Sequence, residues 1–447
     1  MAAIITSKFR VENALNFKAS VADTGNSYYI FLGKSDVWSD VITDNTDTTA
    51  PTPGDYIVDE NDAWQNMSAA KRLTASDVIS IIPRHNWTSG TSYVPWDDAD
   101  EDIFTKSFYM ITDEYKIYKC IKAGSGASTV KPTQTAVDPQ AEGDGYVWKY
   151  MSFVGLSEQK FLTNAYIPIK TIETEPVTPG DDLTRWNIQQ NSTANNGKIY
   201  RVAVTNGGVG YDSTPTVSIK GNGSGATATA VVTGGVVTAV NITAQGSGYS
   251  VAYVEFSGGT PETTAVARAI LSPQNGHGTD PIQELGGFFA GLAIRLTGSE
   301  GGGDFIIDNS FRQIGLVKNP KVYGGSSVAT ATTLSALSEI HFSSHTGFTV
   351  GDYITGGTSG AVAFIDAYDS ATGYLKYHQN DKTGYTAFQA SETVTGHTGG
   401  SGVIPSSGGL VNPEVQKFTG TITFLENRAP INRSASQIED IKIVIEF

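Results

Sequence analysis

"TFLENRAPINRSASQIEDIKIVIEF", residues 423–447, brings the chain to its end. Ile441, Ile443, Ile445 and Phe447 occupy alternate positions, the pattern of a β-strand that buries one face as far as the final residue. Free chain ends need little sequence specification, so a strand this apolar implies a sheet to receive it. Burying four large apolar side chains would contribute on the order of 6–12 kcal/mol before entropy, at ~1.5–3 kcal/mol each. Ahead of it stands the charged tripeptide Glu426, Asn427, Arg428. Arg428 offers a carboxylate a bidentate partner, and Pro430 is expected to end the preceding strand by withholding a donor.

The receiving sheet must come from elsewhere in a chain of 447 residues, a length that suits about two to four domains. The 49 glycines, the frequent Thr, Ser and Val, and a charged fraction of only 17% favour short strands joined by turns over helical bundles. The fold class is therefore mainly β with a minor α+β part. Thirty basic and 45 acidic residues give a formal charge of −15, which DNA phosphates and anionic membrane surfaces repel. Nucleic acid and membrane are poor partners for such a chain. Cys120, the single cysteine, lies mid-strand in "EYKIYKCIKA", the place of a small core filler. The start "MAAIITSKFR" carries no secretory pattern, and no run of ~18 apolar residues predicts a membrane-spanning helix.

Residues 1–180 are varied and aromatic-rich. Tyr28 to Leu32 reads as a strand followed by a glycine turn, and "TASDVISIIPRHNW" as a strand or short helix stopped by Pro83. "KSFYMITDEYKIYKCIKA" reads as two strands about an Asp-Glu turn, and Phe9, Ala14 and Phe17 have helix-compatible spacing. A duplication then sets residues 198–272 apart. "VAVTNGGVGYDSTPTVSI" at 202 superposes on "VNITAQGSGYSVAYVEFS" at 240, which aligns Val202 with Val240, Thr205 with Thr243 and Tyr211 with Tyr249. Each copy is followed by a strand of small residues, "GATATAVV" and "TTAVARAI", so a compact two-unit β-domain is expected. A second Gly/Thr-rich block, 324–410, has the texture of a small barrel or sandwich. The expected organisation is one base domain, residues 1–197, 273–323 and 411–447, interrupted on loops by insertions 198–272 and 324–410.

Patterns that suggest chemistry each lack a required residue. "GNGSGA" at 221 has no Lys-Ser/Thr after it and leads into a strand, unlike a phosphate-cradling loop. Asp98, Asp100 and Asp102 alternate as in a calcium loop, but Ile103 stands where glycine is needed and Tyr109 where the bidentate Glu would be. His341 and His345 have helical zinc spacing in a β context. In "GHGTDPIQELGG", His277, Asp280 and Glu284 form the strongest cluster, yet Asp280 as a cap and Pro281 at the first helical position explain it more simply. No catalytic, cofactor or metal site is expected, and no enzymatic activity.

The pieces outside the two blocks, taken in order, resemble the baseplate wedge subunit encoded by gene eight of T-even-type contractile-tailed phages. The resemblance runs through "ITSKFRVENALNF", "IPRHNW", "IYKCIKA", "GDGYVWKY", "LTNAYIPI", "TRW", "GKIYRV" and "FRQIGLVKNP" to "ENRAPI" and "IEDIKIVIEF". Its signature residues, structural or inter-subunit, are Lys8, Phe9, Arg10, Arg84, Trp87, Gly143, Gly145, Trp148, Arg185, Trp186, Phe311, Arg312, Glu426, Asn427, Arg428 and Pro430. The blocks 198–271 and 324–408 look like additions to the T-even pattern. The resemblance implies a virion protein of the tail baseplate, assembled in the bacterial host cytoplasm, homodimeric and held by other wedge proteins. It also implies a part in the baseplate change that triggers sheath contraction. Trp38, Trp64, Trp87, Trp96, Trp148 and Trp186 are core or interface anchors in that setting. The competing class is a tail-fibre or carbohydrate-binding protein, suggested by the duplicated block, whose insertions would contact glycan or fibre.

Overall fold

Alternation of apolar and polar residues makes antiparallel strands the main element, with short helices between them. The structure is a computed structural model that describes residues 4–39, 41–42, 46–297 and 305–447. Two compact units arise from non-contiguous segments. The first comprises the chain through Lys18, Ile79–Leu292 and Ile443–Phe447; the second comprises Ala19–Val78 and Ala293–Lys442.

The early helix spans Ser7–Ala22. Its buried positions are Val11, Ala14 and Val21, while Phe9 is 55% exposed, so the helix forms where its spacing placed it but turns Phe9 outward. In the second unit, Tyr28–Gly33 is buried along its whole length, as a continuous apolar run should be when both faces of a strand are covered. It is the centre of a five-stranded sheet in the order Thr333–Ser335, Met67–Arg72, Tyr28–Gly33, Ser310–Lys318, Thr421–Asn432. Tyr29, Phe31, Trp64, Met67 and Val317 form its core. At Gly33 a Cβ would lie 2.6 Å from the Asn66 carbonyl oxygen, so this close strand approach requires glycine.

The first unit contains the expected hairpin, Tyr109–Ile111 with Lys116–Lys122, joined through Asp113 and Glu114. Val147–Phe153 and Gln140–Ala141 extend it to four strands over a core of Tyr93, Met110, Tyr118, Cys120, Tyr146, Trp148 and Tyr150. Val78–Pro83 ends at its proline. It is a strand rather than a helix, and it pairs with Tyr166–Ile169.

The duplicated block folds by exchange between its copies. Ile199–Asn206, the first strand of copy one, pairs with Val266–Leu271, the last of copy two. Val236–Ser247, the first strand of copy two, pairs with Ser224–Thr233, the last of copy one. The middle strands, Thr216–Gly221 and Ala252–Ser257, pair with each other. Equivalent residues meet equivalent partners: Val202 opposes Ala269, as Val240 opposes Ala230. The aligned tyrosines are both buried, and both accept a backbone hydrogen bond, Tyr211 Oη from Ala265 at 2.8 Å and Tyr249 Oη from Ala226 at 3.4 Å. In the later Gly/Thr-rich segment, eight short strands between Ser338 and Val411 make one antiparallel sheet around Ile340, Phe342, Phe348, Ile354, Ile365, Leu375, Phe388 and Ile404.

The chain's last strand, Ile438–Glu446, is the edge of a four-stranded sheet; its neighbour is Phe289–Thr297, followed by Val78–Pro83 and Tyr166–Ile169. Ile441 and Ile443 are buried, whereas Ile445 and Phe447 are only partly so. The expectation of four buried side chains is corrected to two, because an edge strand is covered less towards its end. Pro430 does not end the preceding strand: Thr421–Asn432 runs through it. The register against Ser310–Lys318 shifts between the pairs Phe311↔Ile431 and Gln313↔Asn427, so Pro430 sits by a bulge on an edge strand, where a missing donor costs little. No described helix is long and apolar enough to cross a membrane.

Candidate functional site

The signature residues lie mostly inside the two units, where they hold segments together. Arg10 donates from Nε to the Phe447 carbonyl and from Nη2 to Glu446 Oε1, both at 2.5 Å, and its guanidinium lies 3.6 Å from the centre of the Phe288 ring. Phe17 packs on Phe447 with ring centroids 5.6 Å apart. The two ends of the chain therefore meet through a charge-assisted fork and an aromatic contact. Lys8 and Phe9, on the same helix, face outward.

Trp148 is fully buried, stacked on Tyr146 at 5.6 Å and edge-on to Tyr93 at 5.3 Å. Gly145 supports this pair with φ +85 in the preceding turn, a left-handed conformation that favours glycine. Gly143 has no such need: an added Cβ would meet only Val130 at 3.9 Å. Trp87 donates to Ser128 Oγ at 3.2 Å, and Arg84 ties Asn86 to the Thr163 carbonyl. Arg185, 2% exposed, donates to Asp182, to the Phe153 carbonyl and, at 2.5 Å, to Glu158. Trp186, the next residue on the helix Asp181–Ser192, is half-buried.

The "GHGTDPIQELGG" segment behaves as its capping residues predict. Pro281–Leu285 is a short helix, the Asp280 side chain accepts from the Gln283 N–H, and Gly286 closes the helix with φ 76. Its other charges were not legible in sequence. Lys119 and Glu284 form a fully buried ion pair at 2.8 Å. Glu284 also accepts from the Gly278 N–H at 2.6 Å, and Lys119 lies 3.9 Å over the Trp96 ring. Lys149, also buried, donates to the Tyr150 carbonyl, and burial pulls its pKa down to about 8. Burial, then Lys119 and Lys149, holds His277 well below the ordinary histidine range. Its Nδ1 has no hydrogen-bond partner among the described residues and lies 3.9 Å from Glu284. These four side chains are nearly inaccessible to solvent, so the cluster braces the unit from within.

Arg312, in the second unit, grips Asp47 with two hydrogen bonds of 2.7 Å and donates to the Ser35 carbonyl; Phe311 beside it is buried. Asn427 accepts from Gln313 and donates to the Pro51 carbonyl. Arg428 makes no bidentate pair: Glu426 is 3.7 Å away and both side chains are more than 40% exposed. It is the Arg428 carbonyl that is engaged, accepting from Trp38 Nε1 at 3.0 Å. The sequence reading missed a buried network here. His378 Nδ1 pairs with Asp366 at 2.7 Å and Nε2 lies 3.5 Å from Asp36, whose other oxygen accepts from Lys34 and Lys382. Burial opposes charge on His378, but Asp366 and then Asp36 outweigh it and raise its pKa to about 9. The one signal was Asp366 itself, an acidic residue within the apolar run "AVAFIDAY".

The sequence-identified motifs do not converge on reactive geometry. His341 pairs with Glu339 and stacks on Tyr374, whereas His345 bonds Tyr368. Asp97 and Asp98 are taken up by Arg201 and Arg268, and Asp100 by Lys106. Among the described residues, no group of three or more His, Cys, Asp or Glu side chains is placed to hold a metal ion.

A family model described as "Bacteriophage T4, Gp8" matches residues 3–126. The baseplate wedge protein gp8 of Enterobacteria phage T4 is 27% identical over 239 residues, which cover 45% of this chain and 70% of that protein. The residues matched by the family model include Arg10, Arg84 and Trp87, whose partners Phe447, Thr163 and Ser128 lie beyond them. Over these matched residues, the chain is similar to the gene eight baseplate wedge protein of phage T4.

Proposed function

We propose that this protein is a structural, non-enzymatic subunit of the tail baseplate wedge of a contractile-tailed bacteriophage, resident in the virion. The observation that carries this reading is the 27% identity over 239 residues to a baseplate wedge protein. The signature residues Arg10, Trp148, Arg185 and Arg312 give it physical support, since each serves as an internal brace. In this reading the subunit is a homodimer with a closed two-fold interface. It links neighbouring wedge proteins and takes part in the baseplate change that triggers sheath contraction. Residues 198–272 and 324–410 are insertions into the base domain, since each block pairs its strands chiefly within itself.

Mass spectrometry of purified tails, together with light scattering of the purified protein, tests the proposal. The chain is expected in the baseplate fraction and as a dimer in solution. Its absence from tails would overturn the wedge role, and a stable monomer would overturn the dimer.

A further inference from the structure

The first unit carries an open groove of about 1310 Å³ between the start of the early helix, the acidic loop at 96–105 and the helix Asp181–Ser192. Its volume exceeds the ~300–1,000 Å³ typical of small-molecule sites, which suits an extended chain. Phe104, Trp186 and Phe288 contribute aromatic surface, and Ile4 and Ile5 beside them are 81% and 71% exposed. Nine carboxylates line the groove against two cations, Lys8 and Arg10. Several of the nine are neutralised by the pairs described above, but Glu101, Asp102 and Glu173 are exposed; Glu101 and Asp102 have no ion pair among the described residues, and Glu173 is close enough to Lys18 to feel its charge without forming a close pair.

We propose that this groove receives an extended segment of a different tail protein, rich in Lys or Arg and carrying apolar residues between them. The inference rests on the wedge reading. Aromatic side chains supply contact area, and these exposed carboxylates supply charge complementarity that selects a cationic partner. A second copy of this chain, with a net charge of −15, would bring like charge to the same rim, so the occupant is heterologous.

Carboxylate labelling with a carbodiimide and glycine ethyl ester tests this on the free full-length protein and on intact purified tails. Glu101, Asp102 and Glu173 are expected to react in the free protein and to lose labelling by about tenfold in tails, as groups buried at an interface do. Carbodiimide without the amine is expected to join them to lysines of another tail protein. Undiminished labelling in tails that contain the chain would overturn the groove and leave the wedge role standing. Cross-links to a second copy would overturn the heterologous occupant, and absence of the chain from tails would overturn both readings. A Glu101→Lys/Asp102→Lys/Glu173→Lys variant with unchanged melting should enter tails at least about tenfold less than wild type in competition; equal entry would overturn the proposal.

Discussion

The two Gly/Thr-rich blocks have similar composition and reach stability by different means. Residues 199–271 have a core of Val and Ala closed by two tyrosines, with strands paired across the duplication. Glycine makes this possible: a Cβ at Gly223 would lie 2.4 Å from the Tyr249 ring. The strands from Ser338 to Val411 instead enclose larger Ile, Leu and Phe side chains and bury a charged network at His378. A core of small residues depends on register and on a few large plugs. A core of large residues tolerates a buried ion pair, provided that every charge has a partner.

That contrast can be broken at its strongest point first. Tyr211→Ala removes a plug, and by the range for large aromatic truncations it should cost about 3–5 kcal/mol. Hydrogen exchange should show lost protection across 199–271 with the strands from Ser338 to Val411 unchanged; a uniform loss would mean that the blocks are not energetically distinct.

Next comes pH. His378 has a raised folded pKa, so its contribution is complete below its unfolded value near 6.5 and is lost as pH rises through about 9. The shift corresponds to about 3 kcal/mol. Asp366, Asp36, Lys34, Lys382 and Lys417 are the charged groups around it. Exchange protection from Ser338 to Val411, corrected for intrinsic rates, should fall between pH 7 and 10 more than that of 199–271. His378→Gln should remove the difference, and a pH response that survives this change would assign it to another group.

A finer comparison is Tyr211→Phe against Tyr249→Phe. Each deletes one hydrogen bond, worth about 1 kcal/mol, and the 2.8 Å bond of Tyr211 should cost more than the 3.4 Å bond of Tyr249. Equal shifts in melting temperature would show that packing alone sets the role of the rings. The smallest effect is expected at Arg428→Ala: its contact with Glu426 is long and exposed, worth at most about 0.5 kcal/mol. A loss of dimerisation with unchanged melting would reveal an inter-subunit role for Arg428.

Much of the local structure was legible in sequence. The hairpin 109–122, the buried strand from Tyr28 and the capped helix after Asp280 follow from alternation and from capping residues. The duplication was visible as the paired Tyr211 and Tyr249, although the exchange of outer strands between copies was not. Pro430 was misread because its position on an edge strand, beside a bulge, depends on a partner strand more than a hundred residues earlier. The same holds for the buried charges. Lys119 and Glu284 are 165 residues apart, and nothing near Lys119 distinguishes it from the exposed Lys122 in the same strand.

By itself the sequence determined the strand from Tyr28, the hairpin at 109–122, the cap at Asp280, that one block is a duplication and which family the signature motifs resemble. Periodicity, capping and turn chemistry act over a few residues and leave their mark locally. Only the tertiary structure decided that Arg10 closes the two chain ends, that His378 and Glu284 are buried in charged networks, and that Glu101, Asp102 and Glu173 are left exposed on a groove. Whether a charge is desolvated, paired or exposed depends on segments far away in the chain, and that becomes fixed only when they converge.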